Sequence, residues 1–222
     1  MSQKQIILAL TSERGRSGKD TLIEELEKIG HKVHRVAFAD ILKVRCAEAI
    51  GLDEGQVWDF MHGCFKDQEF PWLSINELPE SDYKAFLMER HETFQSVPRS
   101  PRWHLQQFGT DYTRNHLNQP TKWLDLGIER IRKAPEGSLI VVTDMRMANE
   151  YCALAGLVDE YHVRMVRMKR MWFDEAVDRA HPHDSDVQLI GFAMTQVVLN
   201  RWNQQADMVK QLVAQGGLYV PR

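Results

Sequence analysis

The chain has 222 residues, 43% of them hydrophobic and 27% charged, which suits one domain of good size, or one domain with an inserted lobe, and is enough to bury a full core. A formal net charge of −3 argues against a dedicated nucleic-acid coat or a polybasic membrane binder, so any anionic ligand must be held locally. Cys46, Cys64 and Cys152 are scattered, with no C-x-x-C pair, so neither a disulfide framework nor a structural metal site is suggested and a reducing cytoplasm is expected.

The first apolar run, of about six residues, is too short for a signal segment, and no later run approaches a membrane span. A soluble, intracellular protein without membrane or nucleic-acid partners is expected. Starting at Ile6-Ile7-Leu8-Ala9-Leu10, the run reads as a buried strand. It breaks into Thr11-Ser12-Glu13-Arg14-Gly15-Arg16-Ser17-Gly18-Lys19-Asp20-Thr21, and an amphipathic helix follows to Ile29. Strand, glycine-containing basic loop and helix together make an anion cradle. Gly15 and Gly18 let backbone N–H groups turn inward, the helix N-terminus adds partial positive charge, and Lys19 can reach terminal phosphates.

A triphosphate is the natural ligand, with Arg14, Gly15, Arg16, Ser17, Gly18, Lys19, Asp20 and Thr21 as its candidate contacts. Against the pattern G-x-x-x-x-G-K-[ST], Glu13 replaces the first glycine and Asp20 the hydroxyl residue. Asp20 can meet Mg²⁺ and Thr21 can supply the hydroxyl, whereas Glu13 must point away or pair with Arg14 or Arg16. A glycine and serine turn before a surface helix is the plain alternative.

Gly30 and His31 end the first helix, and Val33 to Phe38 alternates as a second strand, completing a β-α-β unit. Ala39-Asp40 caps a helix to about Gly51, with Ile41, Leu42, Val44, Ala47 and Ile50 as its apolar face. Lys43 in its first turn opposes the helix dipole and is a candidate for a ligand anion. Residues 53–100, with weak periodicity and scattered aromatics, read as an inserted lobe holding a helix from Tyr83 to Phe94. Helices are expected over Arg102 to Asp111 and from an opening at Pro120-Thr121-Lys122-Trp123 to about Lys133, then a central strand Ser138 to Thr143 that stops at Asp144-Met145-Arg146. A short helix to Gly156, a strand Tyr161 to Arg167, a basic segment 169–192, a strand Thr195 to Asn200 and a last helix complete the chain. The expected fold is an open α/β fold with five parallel strands and helices on both faces, its ligands beyond the carboxyl ends of the strands.

Three stretches resemble the deoxynucleoside monophosphate kinases of tailed bacteriophages. They are Ser17-Gly18-Lys19-Asp20-Thr21, Arg102 with Leu105-Gln106-Gln107-Phe108-Gly109-Thr110-Asp111, and Asp144-Met145-Arg146-Met147-Ala148-Asn149-Glu150 at a strand end. Trp123, Arg167 after a strand, and His183-Asp184-Ser185-Asp186 are weaker likenesses, in the same order along the chain. The resemblance implies a P-loop nucleoside-monophosphate-kinase fold over 1–222, with ATP and Mg²⁺ as the donor pair. It implies a deoxynucleoside 5′-monophosphate acceptor held by Arg102, Gly109, Thr110, Trp123, Asp144, Arg146 and Glu150, and a cytoplasmic location, that of the host if phage-encoded. A homodimer is left open.

Phosphoryl transfer asks for positioning and charge neutralisation more than covalent chemistry. Lys19 and the loop amides then hold the β- and γ-phosphates, with Arg167 also assigned to ATP. Mg²⁺ falls to Asp20, Thr21 and Asp144. Arg146 and Arg102 clamp the acceptor phosphate, Gln106 and Trp123 form a base slot, and Lys43 joins the acceptor side. Arg170 and Arg179 are candidate lid cations in the segment 169–192, where closure would exclude water. His181 and His183 lack a third ligand at fixed spacing. Two other readings remain: another small-molecule kinase, of the phosphomevalonate or dephospho-CoA type, and a nucleotide-dependent switch, which lacks a D-x-x-G or N-K-x-D segment here.

Overall fold

The computed structural model describes residues 4–63, 65–178, 187–214 and 218. The chain divides into two compact units, one running to Ala37 and resuming at Gly127, the other spanning Phe38–Leu126.

The first unit is built on five strands, β1 (Ile6–Thr11), β2 (Val33–Val36), β3 (Leu139–Val142), β4 (His162–Arg170) and β5 (Gln196–Asn200). All pairings are parallel and the order is β2-β3-β1-β4-β5, so the expected five-stranded α/β architecture is the one observed. The apolar runs in β1 and β3 suit a sheet covered on both faces, where no polar alternation is possible. Leu8 and Leu10 pack with Val141, Val166, Met168 and Val198 under Leu22 and Leu26 of α1 (Lys19–Lys28) and Met208 and Leu212 of the last helix, α9 (Ala206–Ala214). Ile7, Ala9, Ile140 and Val142 alternate to the opposite face and are equally buried.

Strand order dictates this layering. The step from β1 to β2 runs one way across the sheet, whereas the steps from β2 to β3, β3 to β4 and β4 to β5 run the other way. Right-handed crossovers therefore put α1 on one face and α7 (Ala148–Ala155), between β3 and β4, on the opposite one. The strand β4 extends to Arg170 rather than stopping at Arg167, because Lys169 and Arg170 pair with Leu199 and Asn200.

In the second unit, α2 (Phe38–Ala49) buries Phe38, Cys46 and Ala47, with Ile50 just beyond, while Val44 is exposed rather than on the apolar face. A short α3 (Glu54–Val57), capped by Asp53, runs into a π-helical turn at Trp58–His62. The helix α4 covers Asp82–Arg90, shorter than the spacing suggests, and Ser81 caps it. A single helix expected over 102–111 is instead α5 (Pro101–Gln106) followed by a π-helix at Gln107–His116, and α6 (Lys122–Arg132) crosses the boundary between the units. Leu73, Ile75, Tyr83, Leu87 and Met61 form this unit's core. In that core His104, wholly buried, binds Leu73 O through Nε2 at 2.8 Å and Tyr83 Oη through Nδ1 at 3.1 Å.

Candidate active site

The loop between β1 and α1 makes the first unit's most specific local geometry. Gly18, immediately before α1, has φ +88, a conformation open to glycine and costly for other residues. The second left-handed residue is Arg16, φ 53, where the sequence points to Gly15. A non-glycine residue in that region carries strain that its surroundings must hold. The guanidinium of Arg16 meets Asp174, whose Oδ2 lies 3.3 Å from Arg16 Nη1.

Lys19, the first residue of α1, lays its ammonium back over the loop, 2.7 Å from Ser12 Oγ and 3.4 Å from Ser17 Oγ. Ser12 in turn donates to Arg14 O at 2.9 Å. A cation, helix-terminal N–H groups and a left-handed glycine thus share one short loop, the combination that binds phosphate. Asp20 sits on the exposed rim, its side chain 85% accessible and 3.9 Å from Arg35 Nε. The misfit residue Glu13 pairs with Arg167 at 3.4 Å, a partner the sequence does not point to. Arg167 stands opposite Thr11 in the β1–β4 register and also donates to Leu189 O.

At the carboxyl end of β3, Asp144 and Arg146 precede α7 (Ala148–Ala155). Arg146 is exposed, and Glu150 folds back so that its Oε2 accepts from the backbone N–H groups of Arg146 at 2.7 Å and Met147 at 3.0 Å. Glu150 thus caps the helix that Arg146 introduces. Arg170 is in β4, its side chain 4% exposed between Asp174 at 3.1 Å and Asp178, the last residue of the one-turn helix α8 (Glu175–Asp178), at 2.7 Å. Arg179 and the His181 to Asp186 stretch lie outside the described residues.

The first unit therefore brings together the loop, Asp144, Arg146, Glu150 and Arg167 at the carboxyl edge of one parallel sheet. A cleft of about 110 Å³ lies there, lined by Glu13, Arg14, Ser17, Arg167, Arg170 and Trp172. The larger cavity, about 680 Å³, opens at the opposite edge beside Ile6, Leu139 and Tyr161. Chemistry favours the smaller one, because parallel strands present their ligand sites at the carboxyl ends and the loop cations are there.

The remaining predicted residues belong to the second unit. Lys43 donates to Asp40 Oδ1 at 2.9 Å and lies 3.1 Å from His62 Nδ1. Arg102 and Gln106 share the exposed side of α5. Arg102 makes a two-point pair with Asp67, Nη2 to Oδ2 at 3.1 Å; this raises the arginine's pKa and lowers that of the aspartate. Gly109 packs so tightly on Leu42 that an added Cβ would lie 2.9 Å from it. Trp123 is 5% exposed, its indole N–H donating to Gly109 O at 3.2 Å, while Thr110 is exposed. Trp123 is thereby anchored to the π-helix that carries the Gly109-Thr110-Asp111 motif.

The first unit is a parallel α/β sheet whose first strand leads through a glycine-containing, lysine-bearing loop into a helix. No family model matches the chain, and no curated protein does. Among solved structures it is similar to TT1252 from Thermus thermophilus, at 15% identity and TM-score 0.45, over 98% of this chain and 100% of that one. It is also similar to the dephospho-CoA kinase from Campylobacter jejuni, at 14% identity and TM-score 0.37, over 94% of each chain.

Proposed function

We propose that the chain is a kinase that transfers the γ-phosphoryl group of ATP to a deoxynucleoside 5′-monophosphate. The observation that carries the reading is Lys19 held over the loop by Ser12 and Ser17 beside the left-handed Gly18. An acceptor phosphate oxygen attacks the γ-phosphorus and ADP leaves; no general base is demanded, because the acceptor phosphate is already an anion at neutral pH. Lys19 neutralises charge on the transferring group, and Arg146 orients the acceptor phosphate. The motif resemblance, with Arg102 and Gln106 on one helix side, supports a nucleotide as acceptor.

The oxygen donors beside the loop suit Mg²⁺, which would supply charge neutralisation between the phosphates. Among the described residues no group of three or more His, Cys, Asp or Glu side chains could hold a metal. Asp20, Thr21 and Asp144 are the side chains that would hold Mg²⁺. No helix among the described residues is long and apolar enough to cross a membrane.

The test is ADP release from ATP with and without a panel of deoxynucleoside and ribonucleoside monophosphates and dephospho-CoA. Release that depends on a deoxynucleoside monophosphate supports the proposal. Activity confined to dephospho-CoA or a single ribonucleotide selects another kinase, and release without any acceptor selects a nucleotide-hydrolysing switch.

A further inference from the structure

Asn200, the last residue of β5, reaches across to the phosphate loop from the far end of the chain. Its side-chain Nδ2 donates to Ser17 O at 3.1 Å. The same amide fills the space beside Gly18, where an added Cβ would lie 2.2 Å from Nδ2 and 3.2 Å from Cγ. Gly18 is therefore required twice, by its φ of +88 and by the asparagine packed on it. The amide orientation follows from chemistry, because a flipped side chain would set two oxygens against each other.

The anchor behind this contact is rigid. Asn200 pairs with Arg170 in the sheet, and its carbonyl accepts from Met171 N at 2.9 Å. Next to it, Gln211 of α9 donates to Leu199 O at 2.9 Å and accepts from Leu199 N at 2.8 Å, clamping the end of this edge strand. Asn200 is 4% exposed, and its Oδ1 is buried with no hydrogen-bond partner among the described residues. An apolar side chain would fill this place without orphaning an acceptor, but it could not hold the Ser17 carbonyl.

In a planar trans peptide the C=O and the following N–H point in opposite directions. Holding Ser17 O toward β5 therefore turns the Gly18 N–H away from β5. We propose that Asn200 is a positioning residue of the phosphate loop, which sets this peptide plane so that the Gly18 N–H faces a bound triphosphate. The inference rests on the phosphate-loop reading above. It adds a residue remote from the motif, on which donor binding depends.

The experiment measures calorimetric binding of ATP and of inorganic tripolyphosphate to wild type, Asn200→Ala, Asn200→Leu and Asn200→Asp. Both alanine and leucine variants should bind each probe about tenfold more weakly, and Asn200→Asp more weakly still, since it places a carboxylate against a carbonyl and an anion. Asn200→Leu restores packing, so its unfolding midpoint should be at or above that of Asn200→Ala while its affinity stays equally low. Affinity that recovers with stability would make Asn200 a packing residue and overturn the inference. In turnover assays KM for ATP should rise about tenfold in Asn200→Ala, with KM for the acceptor unchanged.

A second measurement needs no ligand. Gly18→Ala should destabilise wild type more than it destabilises Asn200→Ala, because removing the amide relieves the clash and leaves only the φ penalty. Additive effects would overturn the inference. A wild-type chain that binds neither probe would refute the phosphate-loop reading and this role with it. Undiminished binding by the Asn200 variants would refute the role alone.

Discussion

Acidification should weaken the second unit through one side chain. His104 is fully buried, and burial pulls its pKa from 6.5 down to about 4. Its hydrogen bonds specify the neutral form, since Leu73 O must accept from an Nε2–H and Nδ1 is then left to accept from Tyr83 Oη. Because the folded pKa lies below the unfolded one, the unfolded chain binds more protons between pH 6.5 and 4. Stability from this group is therefore complete above pH 6.5 and is lost as pH falls toward 4. The full loss is about 3 kcal/mol; roughly 2 kcal/mol is gone by pH 5, and almost none at pH 7.5.

Urea unfolding of wild type and His104→Gln at pH 7.5 and pH 5.0 reads this directly. The glutamine variant should be less stable at pH 7.5, where its geometry is poorer, yet lose about 2 kcal/mol less than wild type on acidification. The Cε1 proton of His104, followed by NMR, should show no titration above pH 5. Parallel losses in the two proteins, or a titration near pH 6.5, would refute the reasoning.

Three further outcomes bear on the chemistry. Lys19→Ala should lower turnover by about 10² or more with an unchanged circular dichroism spectrum, since it removes a preorganised cation from the transferring group; near-normal turnover would end the phosphate-loop assignment. Arg146→Ala should cost roughly 1.5–3 kcal/mol in kcat/KM for the monophosphate and leave ATP affinity intact, which titration of ATP would check. Gln106→Leu should alter the relative kcat/KM among deoxynucleoside monophosphates, dGMP and dTMP included, because an amide both donates and accepts; an equal loss for every base would place Gln106 outside base selection.

The sheet was legible because its signals are local. Ile6 to Leu10 and Leu139 to Val142 are unbroken apolar runs, and α1 follows its loop with a buried stripe of Leu22, Ile23 and Leu26. The order of the strands was not legible, since it depends on pairings such as Ala9 with both Val142 and Met165, which no spacing records. The π-helix at Gln107–His116 escaped for a related reason. Composition favours a helix there, but whether each N–H reaches back four residues or five is settled by packing, as where Gly109 meets Leu42. The site's long-range partners were hidden too. Asp67 stands 35 residues from Arg102, and Asn200 stands 183 from Ser17.

Carboxylates around a loop proposed to bind an anion look contradictory, but the burial of each pair separates their roles. Arg16 is largely exposed where it meets Asp174, and Glu13 is half-exposed where it meets Arg167. Each pair thus has one solvent-exposed member and one largely buried member, and the exposed member, Arg16 or Glu13, is the one free to reorient if a triphosphate enters. Until then the acids hold two guanidinium groups close to where the ligand would arrive. Arg170 differs, because its side chain is buried between Asp174 and Asp178, and removing a partner from a buried cation costs several kcal/mol. It therefore suits a fixed post at the start of the segment after β4 better than a cation that swings onto substrate. Asp174 joins the two kinds of pair, contacting the movable Arg16 and the fixed Arg170 with the same carboxylate oxygen. Filling the loop with an anion that takes Arg16 would thus leave Asp174 bound to Arg170, so the loop can change partners without unseating β4.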